Sequence, residues 1–175
     1  MKNKIFRFML VFGITMLLSS CLGLLFSKTH ELTVDPNNPA DQNATITFVS
    51  KSEKGQIIVK TWNDVDISEN LYGKKWHWSD DKTKLTVPAG KNTFFIDINF
   101  QKLGKTVNYQ QTYVYLLNQN VDLQYNLEAG KKYEVKGRVD SSGILIFKKY
   151  EFFVGIYDTT NKSTLLKEWK LAEYK

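Results

Sequence analysis

Cysteine and histidine are scarce in this chain, and their scarcity excludes several kinds of protein. Its 175 residues include one cysteine, Cys21, and two histidines, His30 and His77. One cysteine excludes an internal disulfide, so the fold depends on its apolar core. The two histidines lie in separate segments and give neither a zinc-binding pair nor a Cys–His arrangement for nucleophilic catalysis. A Gly-x-Ser-x-Gly elbow and a phosphate-binding loop are missing as well.

One pair of carboxylates is left as a candidate for acid–base chemistry. Asp80 and Asp81 are adjacent, and hydrolysis of a glycosidic bond requires two such groups. However, the segment Ser79–Lys82 is more typical of a hairpin turn. The spaced oxygen ligands of a calcium loop do not occur. We therefore predict a protein that is not an enzyme and binds no metal or cofactor, with a carboxylate-based hydrolase as the least favoured alternative.

The N-terminal segment has the layout of a secretory signal. An uncharged apolar run from Phe8 to Leu18 follows three basic residues, Lys2, Lys4 and Arg7. The run closes on Leu18-Ser19-Ser20-Cys21, which resembles the lipobox of bacterial lipoproteins. The resemblance implies cleavage before Cys21 and attachment of diacylglycerol to its sulfur. Lipidation also explains why an exported chain carries a single cysteine.

An uncleaved membrane anchor is the alternative for the same segment. Leu22–Phe26 prolongs the apolar run, so that Phe8–Phe26 are 19 uncharged residues, near the length of a spanning helix. Both interpretations leave the basic start in the cytoplasm and the chain after about residue 27 outside it. The predicted location is therefore membrane-anchored and extracytoplasmic, in the outer membrane, the periplasm or the cell surface, with the lipid bilayer as a partner.

The remainder of the chain is only mildly basic. The formal net charge of +6 falls to +3 once residues 1–20 are removed, because they hold three basic residues and no acidic one. The lysines that remain are scattered along the sequence, so we predict a solvated surface and no nucleic-acid partner.

A tether and one domain are predicted after the signal. Residues 21–43 are predicted to be a lipidated N-terminus and flexible tether, because Asp35–Pro39 is rich in turn residues and lacks helical periodicity. Residues 44–175 are predicted to form a single domain, which is long enough for an ample core.

Apolar and polar residues alternate in most of this domain. Phe94–Phe100, Val121–Leu127 and Tyr133–Val139 each show the period of two that is typical of antiparallel strands with one face in water. The polar cluster Asp158–Ser163 favours a hairpin over a helix near the end of the chain. Further strands are predicted at Thr45–Ser50, Gln56–Trp62, Lys74–Trp78, Lys105–Leu116, Gly143–Lys149, Phe152–Asp158 and Thr164–Leu171.

Many short strands without intervening helices predict an all-β fold. An antiparallel β-sandwich of Ig-like or Greek-key type is the first choice and a small barrel the second. Val87-Pro88-Ala89-Gly90-Lys91 and Leu127-Glu128-Ala129-Gly130-Lys131 each join two predicted strands. With these turns, residues 44–140 are similar to small Ig-like or PEGA-type sandwiches of bacterial lipoproteins. That resemblance implies a fold and a location, and it assigns no functional residue.

Aromatic residues provide the candidate binding site. Trp76 and Trp78 would share one face of a strand, with Tyr72 nearby, and could form a platform for sugar rings or for a protein partner. Packing inside the sandwich is the alternative for these side chains. Another candidate face is formed by Tyr109, Tyr113 and Tyr115.

The favoured function is a non-catalytic one. A lipid anchor, a tether and a sheet domain without catalytic groups predict an envelope lipoprotein that binds or scaffolds another envelope protein. The alternative is a glycan- or peptidoglycan-binding module that uses Trp76, Trp78 and Tyr72.

Inhibition of lipoprotein signal peptidase tests the anchor. We expect an unprocessed precursor to accumulate, because cleavage before Cys21 is the step that the inhibitor blocks. The precursor is detected by its mass on intact-protein mass spectrometry. A mature protein that keeps Met1 and carries no lipid would contradict the lipobox interpretation.

Overall fold

The computed structural model of the chain describes residues 28–74, 81–107, 110–144 and 148–174. Several predicted site residues lie outside these ranges, namely Cys21, Trp76, Trp78, Asp80 and Tyr109. The predicted strand Lys74–Trp78 lies outside them too, except for its first residue.

Ten strands and one short helix make up the described part of the chain. The strands are β1 Thr29–Thr33, β2 Asn43–Val49, β3 Gln56–Trp62, β4 Val65–Asp66, β5 Lys82–Pro88, β6 Gly90–Val107, β7 Gln110–Leu127, β8 Lys132–Ser142, β9 Lys149–Asp158 and β10 Thr164–Tyr174. The helix is α1 Ser68–Tyr72, and two 3-10 turns lie at Ala40–Gln42 and Ser52–Lys54.

These strands form two facing sheets. One sheet has six strands in the order β1-β5-β2-β8-β9-β10, and the other has four in the order β4-β3-β6-β7. Most pairs are antiparallel, but β1 runs parallel to β5 and β2 runs parallel to β8. The predicted all-β sandwich is thereby confirmed. Over the ranges described, neither sheet closes into a barrel.

The core lies between the sheets and is built by the predicted alternation. Phe48 of β2 and Phe94 of β6 meet edge to face at 5.4 Å between ring centroids. Phe100 of β6 and Phe152 of β9 do the same at 5.2 Å. All four side chains are buried, and burial of each contributes about 1.5–3 kcal/mol. These two phenylalanine contacts are part of a larger apolar core between the sheets, which also includes Ile46, Leu85 and Ile96.

Strand β1 corrects the predicted extent of the tether. Thr29–Thr33 pairs in parallel with β5, from Thr29 opposite Lys82 to Thr33 opposite Thr86. Leu32 packs against the core and is the apolar residue that ties this segment to the sandwich. An edge strand can be held by a single apolar contact with the core, so a largely polar pentapeptide can form one. The same polar composition is typical of a tether, which is why the strand was not predicted. The domain therefore includes residues from the predicted tether.

Two predicted strands were wrong in their boundaries. Lys105–Leu116 is not one strand, because β6 ends within it and β7 begins within it, with Val107 opposite Gln110. Of the predicted strand Gly143–Lys149, only Lys149 lies in a described strand, because β8 ends at Ser142 and β9 begins at Lys149, and residues 145–147 lie outside the described ranges. Alternation continues unchanged through both arms of a hairpin, so the pattern does not reveal the turn between them.

The predicted C-terminal hairpin is confirmed. β9 and β10 pair antiparallel from Thr164 opposite Asp158 to Tyr174 opposite Tyr150. Asp158 caps the turn by accepting a hydrogen bond from the Thr160 N–H at 2.8 Å. The helix α1 was not predicted, since five residues are too few to show a helical period.

A close approach at Gly137 joins β8 to the loop that follows β2. A Cβ at this position would lie 2.0 Å from the Lys54 carbonyl oxygen and 2.8 Å from the Phe100 ring. Only glycine leaves room for this contact, because the carbonyl belongs to the backbone and has little freedom to move. The loop is therefore positioned directly against the middle of β8.

Substitution Gly137→Ala tests this contact. We expect it to lower the free energy of unfolding by about 1–3 kcal/mol, because the added methyl forces the Lys54 loop and the Phe100 ring apart. Urea titration measures the change. Gly155→Ala is the matched control, because its nearest neighbours at 3.0–3.3 Å are the ends of the Tyr157 and Leu165 side chains. An equal loss in both variants would contradict the account.

Candidate functional site

A cleft opens where β2 and β8 differ in length. β2 is paired with β8 only as far as Val49, opposite Lys136, whereas β8 continues to Ser142 beside β9. Beyond Val49 the chain turns away through the 3-10 turn Ser52–Lys54 into β3. The vacated space is a cleft of about 900 Å³ between this loop, β8, β9 and the far half of the β6–β7 hairpin.

Positive charge dominates the lining of the cleft. Two acidic residues, Glu53 and Glu134, face seven cations, namely Lys51, Lys54, Lys82, Lys102, Lys136, Arg138 and Lys148. The excess of five positive charges is close to the +6 of the whole chain. These cations are scattered along the sequence, as expected, and the fold brings them to one cleft. Sequence reasoning missed this cluster because its members come from separate strands and loops.

Three of these cations are held by acidic neighbours. The Lys136 ammonium lies 2.8 Å from Glu134 and 4.2 Å from the centre of the Tyr157 ring. Lys102 lies 3.6 Å from Glu53. Arg138 donates hydrogen bonds to Glu168 of β10, at 2.9 Å, and to Asp140, and these two carboxylates raise the pKa of the guanidinium. These three side chains are positioned by bonds within the domain.

The other four cations have no such neighbour. Lys51, Lys54, Lys82 and Lys148 are exposed, and no carboxylate of residues 28–74, 81–107, 110–144 or 148–174 lies within ion-pair distance of them. Uncompensated charges in a concave site focus the electrostatic field and attract anions. The cleft is therefore suited to a ligand with several negative charges.

Tyr115 forms an aromatic wall of the cleft. Its hydroxyl donates to the Glu53 carbonyl oxygen at 2.7 Å. Its ring packs against Tyr150 at 5.4 Å and Phe152 at 5.7 Å between centroids. Burial raises the pKa of the Tyr115 hydroxyl. Tyr115 was predicted to belong to a tyrosine face, of which Tyr113 lies on β7 opposite Leu103 and Tyr109 lies outside the described residues.

One edge of β8 faces the cleft without a partner strand. The Lys132 carbonyl accepts from the Thr159 N–H on the β9 side, and the Lys131 carbonyl accepts from the Thr45 N–H on the β2 side. Backbone groups alternate in direction along a strand, and the β8–β9 register has no bulge. The pairing of Val49 with Lys136 uses the Gly137 N–H, which donates to the Val49 carbonyl in a parallel ladder of this register. After β2 has ended, the backbone groups that face the cleft are therefore the Gly137 C=O and the N–H and C=O groups of Val139 and Ser141.

Tyr72, a predicted ligand-binding residue, lies outside the lining of this cleft. Its hydroxyl accepts a hydrogen bond from the Val59 N–H at 3.0 Å and bonds to the Thr83 hydroxyl at 2.8 Å. Its ring meets the His30 ring at 5.0 Å. Burial raises the pKa of Tyr72. The hydroxyl therefore joins α1 to β3 and β5, while Trp76 and Trp78, its predicted companions, lie outside the described residues.

Asp81, a candidate carboxylate, attaches the start of β1. One of its oxygens accepts from the Lys28 N–H at 2.8 Å, and the other lies 3.5 Å from His30 Nε2. Among the described residues, no group of three histidine, cysteine or acidic side chains is placed to hold a metal ion. The same residues include no helix with the length and apolarity to cross a membrane.

Substitution Tyr72→Phe tests the structural role of this hydroxyl. We expect the free energy of unfolding to fall by about 1–3 kcal/mol, because the Val59 N–H loses its acceptor in a partly buried place. Tyr125→Phe is the control, since that hydroxyl makes no hydrogen bond within the described residues. Both are measured by urea titration, and equal stability of the two variants would contradict the assignment.

Comparison with known proteins identifies no relative. No family model matches the chain, and neither a curated protein nor a solved structure matches it. The similarity of residues 44–140 to PEGA-type sandwiches stays a prediction. What the cleft binds must therefore be inferred from its own residues.

Proposed function

We propose that this protein is a membrane-anchored envelope lipoprotein whose β-sandwich binds another protein without catalysing a reaction. The observation that carries the proposal is the cleft, where four exposed lysines without acidic neighbours surround an unpaired strand edge. Charged clefts of this kind favour encounter with a partner of opposite charge and select against others. The described residues offer no comparable set of groups for catalysis.

The sequence supports the anchor, and in the fold the first described residue after it, Lys28, lies beside a residue of the cleft. Seven peptide units join the predicted lipid at Cys21 to Lys28, a reach of at most about 25 Å. The Lys28 carbonyl accepts from the N–H of Lys82, which lines the cleft. The proposed anchor segment would therefore join the domain next to a residue that lines the cleft. A partner would be bound close to the bilayer surface.

Glycan binding through Trp76 and Trp78 is the alternative prediction. The hydroxyl of Tyr72, the third residue of that set, is bonded to Val59 and Thr83 within the domain. This internal role weakens the case for a binding platform that includes Tyr72. The basic cleft lies on other elements and is the better supported site.

Crosslinking in living cells tests the proposed function. Full-length protein is crosslinked at its native membrane, and the captured proteins are identified by mass spectrometry. We expect one envelope protein to be captured, and its yield to fall about tenfold or more with Lys51→Glu/Lys54→Glu, because like charges in an interface cost several kcal/mol.

The control reverses the same charge elsewhere. Lys132 and Lys162 are exposed and lie outside the cleft, so Lys132→Glu/Lys162→Glu should capture the same protein at the wild-type level. Equal capture by the cleft variant and the wild type would overturn the role of the cleft. Capture of no protein at all would overturn protein binding.

A further inference from the structure

We infer that the cleft receives an extended acidic segment of the partner protein, which adds to the free edge of β8 as an extra strand. The inference rests on the proposed function and specifies the chemical class of the partner. Strand addition uses main-chain hydrogen bonds for affinity and side-chain contacts for specificity. The cleft offers both over the stretch from Gly137 to Ser142.

The backbone provides the first part of the recognition. Gly137, Val139 and Ser141 present three C=O groups to the cleft, and Val139 and Ser141 also present their N–H groups, at the spacing of every second residue. A peptide in extended conformation repeats its own N–H and C=O groups at the same interval, about 6.8 Å. A lipid headgroup or a polyphosphate carries acceptors but no matching row of donors. The edge therefore favours a peptide over these other anions.

The side chains supply the second part. Lys51 and Lys54 extend from the loop that covers the start of the free edge, and Lys148 directly precedes β9 on its other side. These three lysines repel a basic strand. Glutamate or aspartate side chains of a bound strand could form ion pairs with their ammonium groups, which have no ion pair within the described structure. The charge selects an acidic segment and also prevents the edge from pairing with a second copy of this basic chain.

Other edges of the sandwich are protected in a different way. β10 carries two register shifts, between Leu165 and Lys167 and between Lys170 and Ala172, and bulges of this kind disrupt pairing along an edge. On β3, the Val59 N–H donates its hydrogen bond to the Tyr72 hydroxyl and is not available to an added strand. The free part of β8 has a regular register and no such cap in the described residues, so it is better suited to accept a strand than these two edges.

A peptide titration tests the inference. The probes are two labelled ten-residue peptides of equal charge, one alternating glutamate with threonine and the other alternating glutamate with proline. Fluorescence anisotropy measures their binding to the full-length protein in uncharged detergent. We expect the threonine peptide to bind at least about tenfold more tightly, because proline removes the N–H from every second residue and cannot form the ladder. Its binding should weaken with Lys51→Glu/Lys54→Glu and persist with Lys132→Glu/Lys162→Glu.

The opposite results separate this inference from the proposed function. Equal binding of both peptides, or full competition by polyphosphate at matched charge, would overturn strand addition. Absence of peptide binding together with cleft-dependent capture of a protein in cells would likewise overturn only this inference. Binding of anionic vesicles without any peptide binding, and without protein capture, would overturn both.

Discussion

The cleft depends on the packing of one side chain, Phe100. Its ring meets Phe152 of β9 at 5.2 Å and lies so close to Gly55 and Gly137 that neither position has room for a Cβ. One residue of the four-stranded sheet thereby fixes two strands of the other sheet and the loop after β2. The Tyr115 hydroxyl adds a second contact to the same loop, through its hydrogen bond to the Glu53 carbonyl oxygen at 2.7 Å.

In this arrangement, a difference in strand length creates the cleft that we propose as the binding site. β2 ends at Val49. The loop that follows does not continue along β8 and instead packs against Gly137 through the Lys54 carbonyl. The free edge that results would be prone to aggregation if its surroundings were apolar. Here many of the surrounding residues are lysines, which oppose pairing of the edge with a second copy of this basic chain. In the proposed function the same charges select an acidic partner.

Alternation along the sequence was sufficient to predict the sandwich and most of its strands, and β3 has the predicted bounds Gln56–Trp62. It could not predict β1, whose single apolar anchor is Leu32, or the turn between β6 and β7. The cleft was beyond prediction for a different reason. Lys54, Lys82 and Arg138 are far apart in the sequence and are brought together by the parallel pairing of β2 with β8, which no local pattern specifies. Tyr72 was predicted to bind a ligand because of its aromatic ring, but its hydroxyl gives it a structural role through hydrogen bonds to Val59 and Thr83.

Amide hydrogen exchange along β8 is the most direct test of the central claim, that its edge is free beyond Lys136. In the unbound protein we predict fast exchange at Val139 and Ser141, whose N–H groups face the cleft. Slow exchange is predicted at Arg138 and Asp140, whose N–H groups face β9. Strong protection of all four amides would mean that the edge is already covered within the chain, and it would contradict the account.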